Sequence, residues 1–226
     1  MAPWSSLAYG LFLTLISYVV LWALYAGHLL HLALPAISGF LIVGPFLAIG
    51  LYEQSRMQAQ GRQVAFSDML IFRPVSGGQL AYAGLLLGLL ILFWLRAADL
   101  LYALFFGLIP FPGAEEALTN VLTTPRGWTL IVTGTLVGCL FAAFAFAISV
   151  FSIPMLVSRK TDALTAMGLS FIMTVQNLRP TLAWGVVVAL GMGLTVVTGL
   201  AALIVLFPVL GHGTWHAYQA IAGEGR

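Results

Sequence analysis

Gln79-Leu-Ala-Tyr-Ala-Gly-Leu-Leu-Leu-Gly-Leu-Leu-Ile-Leu-Phe-Trp-Leu-Arg-Ala-Ala-Asp-Leu-Leu-Tyr-Ala-Leu-Phe-Phe-Gly-Leu108 carries only two charges, Arg96 and Asp99, in thirty residues. A helix needs about 20 residues to cross the roughly 30 Å hydrocarbon layer of a bilayer. This stretch therefore reads as a transmembrane helix with length to spare, which must tilt or project. Five further apolar stretches lie at about 5–27, 34–54, 127–157, 181–198 and 200–219. The last two are contiguous, with only Thr198-Gly199 to make a turn, so they read as two helices, one kinked helix or a half-membrane hairpin. The expected fold is all-α: a polytopic membrane helical bundle of about six transmembrane helices in three hairpins. It forms a single integral membrane domain over residues 1–226.

Composition agrees. Hydrophobic residues make up 61% of the chain and charged residues 7%, against about 25% charged in soluble domains, so water is not the main solvent. Mean hydropathy is +1.05. The net charge of +2 is too small and too local to serve nucleic-acid binding. The one cysteine, Cys139, lies in an apolar stretch and has no partner for an intramolecular disulfide. The first apolar segment lacks a basic leader and a small-residue cleavage site, and is not expected to be a removable signal peptide.

Charge fixes the expected orientation. The connection after the second span carries Arg56, Arg62 and Arg73, and the one after the fourth carries Arg159, Lys160 and Arg179. On the opposite side the first loop has only His28 and His31, and the third-to-fourth connection has Glu115 and Glu116 against Arg126. The positive-inside rule places the basic connections and both termini in the cytoplasm. Trp4, Trp128 and Trp215 fall near the expected interfaces. Ser67-Asp68-Met69-Leu70 reads as a capped helix start. Leu164, Met167, Phe171 and Val175 recur at a helical period. Both segments are expected as short amphipathic cytoplasmic helices, their basic groups near anionic headgroups.

Spans two, four and six run in the same direction, and each holds one proline: Pro45, Pro154 and Pro208. Aligning the first and last pairs Leu47 with Leu210, Gly50 with Gly213 and Tyr52 with Trp215, which reads as an internal repeat of helical hairpins. Each proline frees the carbonyl four residues earlier: Leu41, Val150 and Ile204. In lipid those carbonyls need a partner or a wet cavity. Two readings follow: a polar pathway, or kinks whose carbonyls are met by Ser38, Ser149 or Ser152.

Arg96 and Asp99 lie on one helix face at an ion-pair spacing. Charges inside a span are expensive, and the pair reads equally as a structural ion pair or as a working site. His212 and His216 share a helical face at a spacing that suits a metal, with no third ligand nearby. Glu53 and Arg56 read as an interfacial pair, and Glu115-Glu116 as complements to a helix dipole. Gly84/Gly88 and Gly134/Gly138 form GxxxG motifs for close helix contact. No phosphate loop, nucleophile elbow, zinc quartet or catalytic carboxylate pair is present, so no enzyme activity and no cofactor is expected.

Four stretches carry a resemblance: Gly39-Phe-Leu-Ile-Val-Gly-Pro-Phe-Leu-Ala-Ile-Gly-Leu-Tyr-Glu-Gln-Ser-Arg56, Phe146-Ala-Ile-Ser-Val-Phe-Ser-Ile-Pro-Met-Leu156, Asp162-Ala-Leu-Thr-Ala-Met167 and Pro208-Val-Leu-Gly-His-Gly-Thr-Trp-His-Ala-Tyr218. They resemble the bacterial integral membrane family labelled domain of unknown function 2189. The resemblance implies a six-helix bacterial inner-membrane protein and transfers no catalytic residue. After Pro-Met-Leu the family tends to place an acidic residue before arginine, whereas this chain reads Val157-Ser158-Arg159. Family members usually carry a cytoplasmic stretch before the first span, where this sequence starts almost at the membrane.

The expected role is a non-enzymatic accessory or assembly partner of another membrane complex, in contact with the lipid bilayer and with a membrane-protein partner or a second copy. The alternative is a small permease or channel using the proline-broken helices. Metal or haem ligation by His212 and His216 is a third reading.

Overall fold

The computed structural model describes residues 3–27, 33–62, 66–70, 74–107 and 114–223. His28, His31 and Arg73 lie outside the described residues, as do the side chains of Ser38, Asp68 and Glu115. The described residues are almost all helical, with no strand among them. In chain order the helices are α1 (Pro3–Ala26), α2 (Ala33–Leu47), α3 (Ile49–Ala59), α4 (Phe66–Leu70), α5 (Gly77–Phe106), α6 (Ala114–Thr123), α7 (Pro125–Ser149), α8 (Ser152–Ser158), α9 (Ala163–Gln176), α10 (Leu178–Val197) and α11 (Leu203–Gly223).

Among the described residues, four segments are long and apolar enough to cross a membrane: Trp4–Ala26, Gly77–Phe106, Pro125–Ser158 and Leu178–Val197. The expected second and sixth spans are built differently. Pro45 sits inside α2, and the helix breaks at Ala48 before resuming as α3. In α11 the N-terminal half is apolar, but the C-terminal half carries His212, Thr214, His216 and Gln219. The expected fourth span breaks between α7 and α8, ahead of Pro154. Thr198 to Ala202 make the turn between α10 and α11, with Gly199 at φ 58° and Leu200 at φ 72°. The last two spans are therefore separate antiparallel helices.

Contacts between distant residues set the topology. Ser6 of α1 meets His212 while Tyr18 donates to the carbonyl of Gly199, so α1 and α11 run antiparallel. Gly84 of α5 faces Phe46, and Gly39 faces Ile91, so α2 and α5 are antiparallel too. The Val75 and Ser76 amides donate to the carbonyls of Val157 and Leu156, joining the start of α5 to the end of α8. The start of α1, α3, the start of α5, α8, α9 and the end of α11 thus share one end of the bundle. Arg56, Arg62, Arg159, Lys160 and Arg179 belong to the same end.

The tightest packing lies at this basic end rather than in the middle of the spans. Leu51, Tyr52, Phe151, Ile153, Leu156 and Tyr218 are fully buried there. The outward faces of α1, α5 and α10 instead expose rows of Leu, Val and Phe. Lipid tails are as apolar as leucine, so such a face loses nothing by remaining outside. The same logic inverts α9. Small and polar residues, Ala163, Ala166, Ser170 and Thr174, face the protein together with Met167, while Leu164, Phe171 and Val175 point outward.

Two local expectations need correction. Trp215 is buried in the basic-end core, unlike the exposed Trp4 and Trp128, because its ring packs beside Tyr218. Ser67 is not an N-cap, since α4 already includes Phe66, whose ring packs edge-on against Phe12. In each GxxxG motif one glycine lies in close contact with a neighbouring helix. Gly84 receives the ring of Phe46 and Gly138 that of Trp94, while Gly88 and Gly134 face open space.

Candidate functional site

Every break in these helices is closed by a group from another element. At the α2–α3 break the Leu51 amide turns to Ala48 O, and the Leu47 carbonyl accepts instead from the Tyr9 hydroxyl of α1 at 2.7 Å. At the α7–α8 break the Ser170 hydroxyl of α9 donates to Ala147 O at 2.7 Å and accepts from Phe151 N at 3.1 Å. Those two backbone groups would bond each other in an unbroken helix, so Ser170 is inserted into the ladder, a recognised cause of a kink. The neighbouring serines do not play the expected part. Ser152 donates to Ile148 O at 2.6 Å, and the buried Ser149 hydroxyl has no partner.

The polar centre of the basic end joins α1, α3 and α11. Ser6 Oγ lies 2.9 Å from the Gln54 carboxamide oxygen and 3.0 Å from His212 Nε2. Ser55 Oγ lies 2.6 Å from His212 Nδ1 and donates to Leu51 O at 3.0 Å. Gln54 is fully buried, and its Nε2 has no partner. A buried amide donor left alone is costly, and carboxamide orientation follows from the surrounding network. Turning the Gln54 amide over gives a one-way chain. Gln54 Nε2 donates to Ser6, Ser6 to His212 Nε2, His212 Nδ1–H to Ser55, and Ser55 to Leu51 O. Only an acceptor, Gln54 Oε1, is then unmet. The imidazole in this arrangement is neutral, with its proton on Nδ1.

Beside this chain, Arg56 grips Glu53 through two bonds, from Nε at 2.8 Å and from Nη2 at 2.6 Å. The pair has the expected spacing and lies at the basic end of the bundle. The Glu53 side chain is only 1% exposed, because α3 enters the core with Ile49 to Ser55 all buried. On the other face of α3, Tyr52 meets the Thr214 hydroxyl, which also accepts from Trp184 Nε1 at 3.1 Å. The Arg159 guanidinium lies over the Tyr218 ring, 5.9 Å from its centre, a cation–π arrangement.

The sequence-derived candidates divide accordingly. Both ring nitrogens of His212 are within hydrogen-bond reach of serine hydroxyls, while His216 is exposed one turn later. A metal at His212 would have to displace one of those serines. No group of three His, Cys, Asp or Glu side chains is gathered among the described residues. Arg96 and Asp99 do meet, through one bond of 3.1 Å, but on the outside of α5, where their side chains are 82% and 62% exposed. Among the proline-freed carbonyls, Ile204 O faces Gly10 of α1. Val150 and Pro45 instead line a cavity of about 80 Å³, together with Phe40, Phe146, Leu206 and Phe207.

The fragment Leu51-Tyr-Glu-Gln-Ser-Arg56 thus supplies the centre of the site, and Ser152 to Val157 supply the core beneath it. The family described as a predicted integral membrane protein, DUF2189, matches residues 32–158, from before α2 to the end of α8. The chain belongs to this family. In this DUF2189 protein the matched region contributes Gln54 and Ser55, while Ser6 and His212 come from outside it. No curated protein and no solved structure matches the chain.

Proposed function

We propose that this DUF2189 protein is a non-enzymatic accessory or assembly partner of a bacterial inner-membrane complex, with its basic end and both termini in the cytoplasm. The observation that carries this reading is the outward face of α5. Leu92, Phe93, Leu100 and Leu104 stand exposed there around the Arg96–Asp99 pair. A lone exposed ion pair adds little to stability, and charge near the membrane is expensive unless something polar meets it. A partner helix offering apolar side chains and a hydrogen-bonding group fits both needs. The rigid junction of α1, α3 and α11 would keep the bundle in register while that face is engaged.

A permease would need a polar route between the two sides. The lining of the central cavity is mostly Phe, Leu, Val and Gly, which favours the accessory role. The internal repeat belongs to the same proposal: Gly50 and Gly213 each receive an aromatic ring, Tyr9 and Trp184. Affinity purification in a mild detergent is the test. The accessory role predicts a second polypeptide at fixed stoichiometry, and recovery of a lone monomer would contradict it.

A further inference from the structure

We infer that the cavity between α2, α3, α7, α10 and α11 seats a few mid-chain methylenes of one acyl chain of a bilayer phospholipid. Its walls are apolar, with Phe40, Val188, Met192, Leu206 and Phe207 among them. Gly44 opens onto it with no atom within 4 Å of where a side chain would begin. The side-chain hydroxyls on its surface are already engaged. Thr195 donates to Gly191 O, Thr214 to Leu210 O, and Tyr52 meets Thr214. These hydroxyls have no proton left to offer a polar ligand, whereas a hydrocarbon chain asks for none.

Depth identifies the source. Val188 lies ten residues into α10, roughly 15 Å along it at 1.5 Å per residue, halfway through a hydrocarbon layer of roughly 30 Å. The cavity is not enclosed, and at this depth the bundle is surrounded by the bilayer. What surrounds that opening is lipid tail. An apolar void forfeits contacts that a methylene chain restores.

The test uses the full chain in nanodiscs containing phosphatidylcholine with a diazirine at mid-chain, and maps the adducts by mass spectrometry. The wild type, purified away from any partner, is expected to carry adducts at Met192 and Leu206 in excess of those at Leu100, which then stands exposed to lipid on α5. Gly44→Leu fills the open space and is expected to abolish labelling at Met192 while leaving Leu100 unchanged. Val188→Trp does the same from the opposite wall if the first variant fails to fold. Labelling at Met192 and Leu206 no stronger than at Leu100, or unaltered in the folded variant, would overturn the assignment.

Discussion

The carbonyl of Ile204, which Pro208 deprives of its helical donor, faces the bare α-carbon of Gly10 on the neighbouring helix. A β-carbon at residue 10 would collide with that oxygen, so α1 and α11 approach here as closely as backbones allow. A Cα–H contact of this kind is a weak substitute for the lost amide. Gly10→Ala is expected to push the helices apart and cost about 1–3 kcal/mol, as overpacked sites do. Gly88→Ala, at a glycine facing open space on α5, should be neutral or slightly stabilising. Thermal unfolding of both variants in one detergent makes the comparison.

His212 ties α1 to α3, one ring nitrogen within hydrogen-bond reach of Ser6 and the other of Ser55. His212→Ala leaves both hydroxyls buried without this partner, and a loss of about 1–3 kcal/mol is expected. His216→Ala, at an exposed position on the same face, should stay within about 0.5 kcal/mol of wild type. The contrast should persist in the presence of a chelator. If metal ligation held the pair, chelation would lower the wild type to the level of the His212 variant.

Two buried serines one helix apart have opposite expected effects. Ser170→Ala removes the hydroxyl inserted between Ala147 and Phe151, and about 1–3 kcal/mol should be lost unless the backbone closes the gap itself. Ser149→Ala removes a buried hydroxyl that bonds to nothing, so stability should hold or rise. Denaturation midpoints measured side by side distinguish the two.

Asp162 caps α9 by accepting from Thr165 N at 2.9 Å. That backbone bond holds its carboxyl below the ordinary aspartate range. Its contribution is complete above the unfolded value, about 3.9, and is lost as pH falls through the lower folded value. Asp162→Asn keeps a good cap but has no charge to lose. Its unfolding temperature should therefore fall less than that of the wild type between neutral pH and pH 3. Parallel acid limbs would contradict the assignment.

The bundle was legible because bilayer length and hydrophobicity leave few alternatives. The 79–108 run alone demands a spanning helix, and Pro45 and Pro154 mark return legs that break, whereas α11 runs on through Pro208 against the expectation. The location of the repairs was not legible. Ser170, Tyr9 and Gly10 are residues of ordinary type in other segments, and no local spacing links Ser170 to the 147–151 break. Gln54 and Ser55 stood beside the conspicuous Glu53–Arg56 pair, and a polar run ending an apolar span was the available signal. His212 was noticed for its spacing from His216, yet burial separates the two: one turn of α11 carries the helix from the core to the surface. Trp215 misled in the converse way, since an aromatic near a span end packs inward when a short helix such as α3 covers that end.

The central claim is that the outer face of α5 is covered by a partner in the membrane. A photo-crosslinking amino acid placed at Leu100, and separately at Leu104, and activated in intact cells tests this directly. The account predicts one discrete adduct of the same added mass from both positions, weakened by Arg96→Ala. No adduct above the monomer from either position would contradict it.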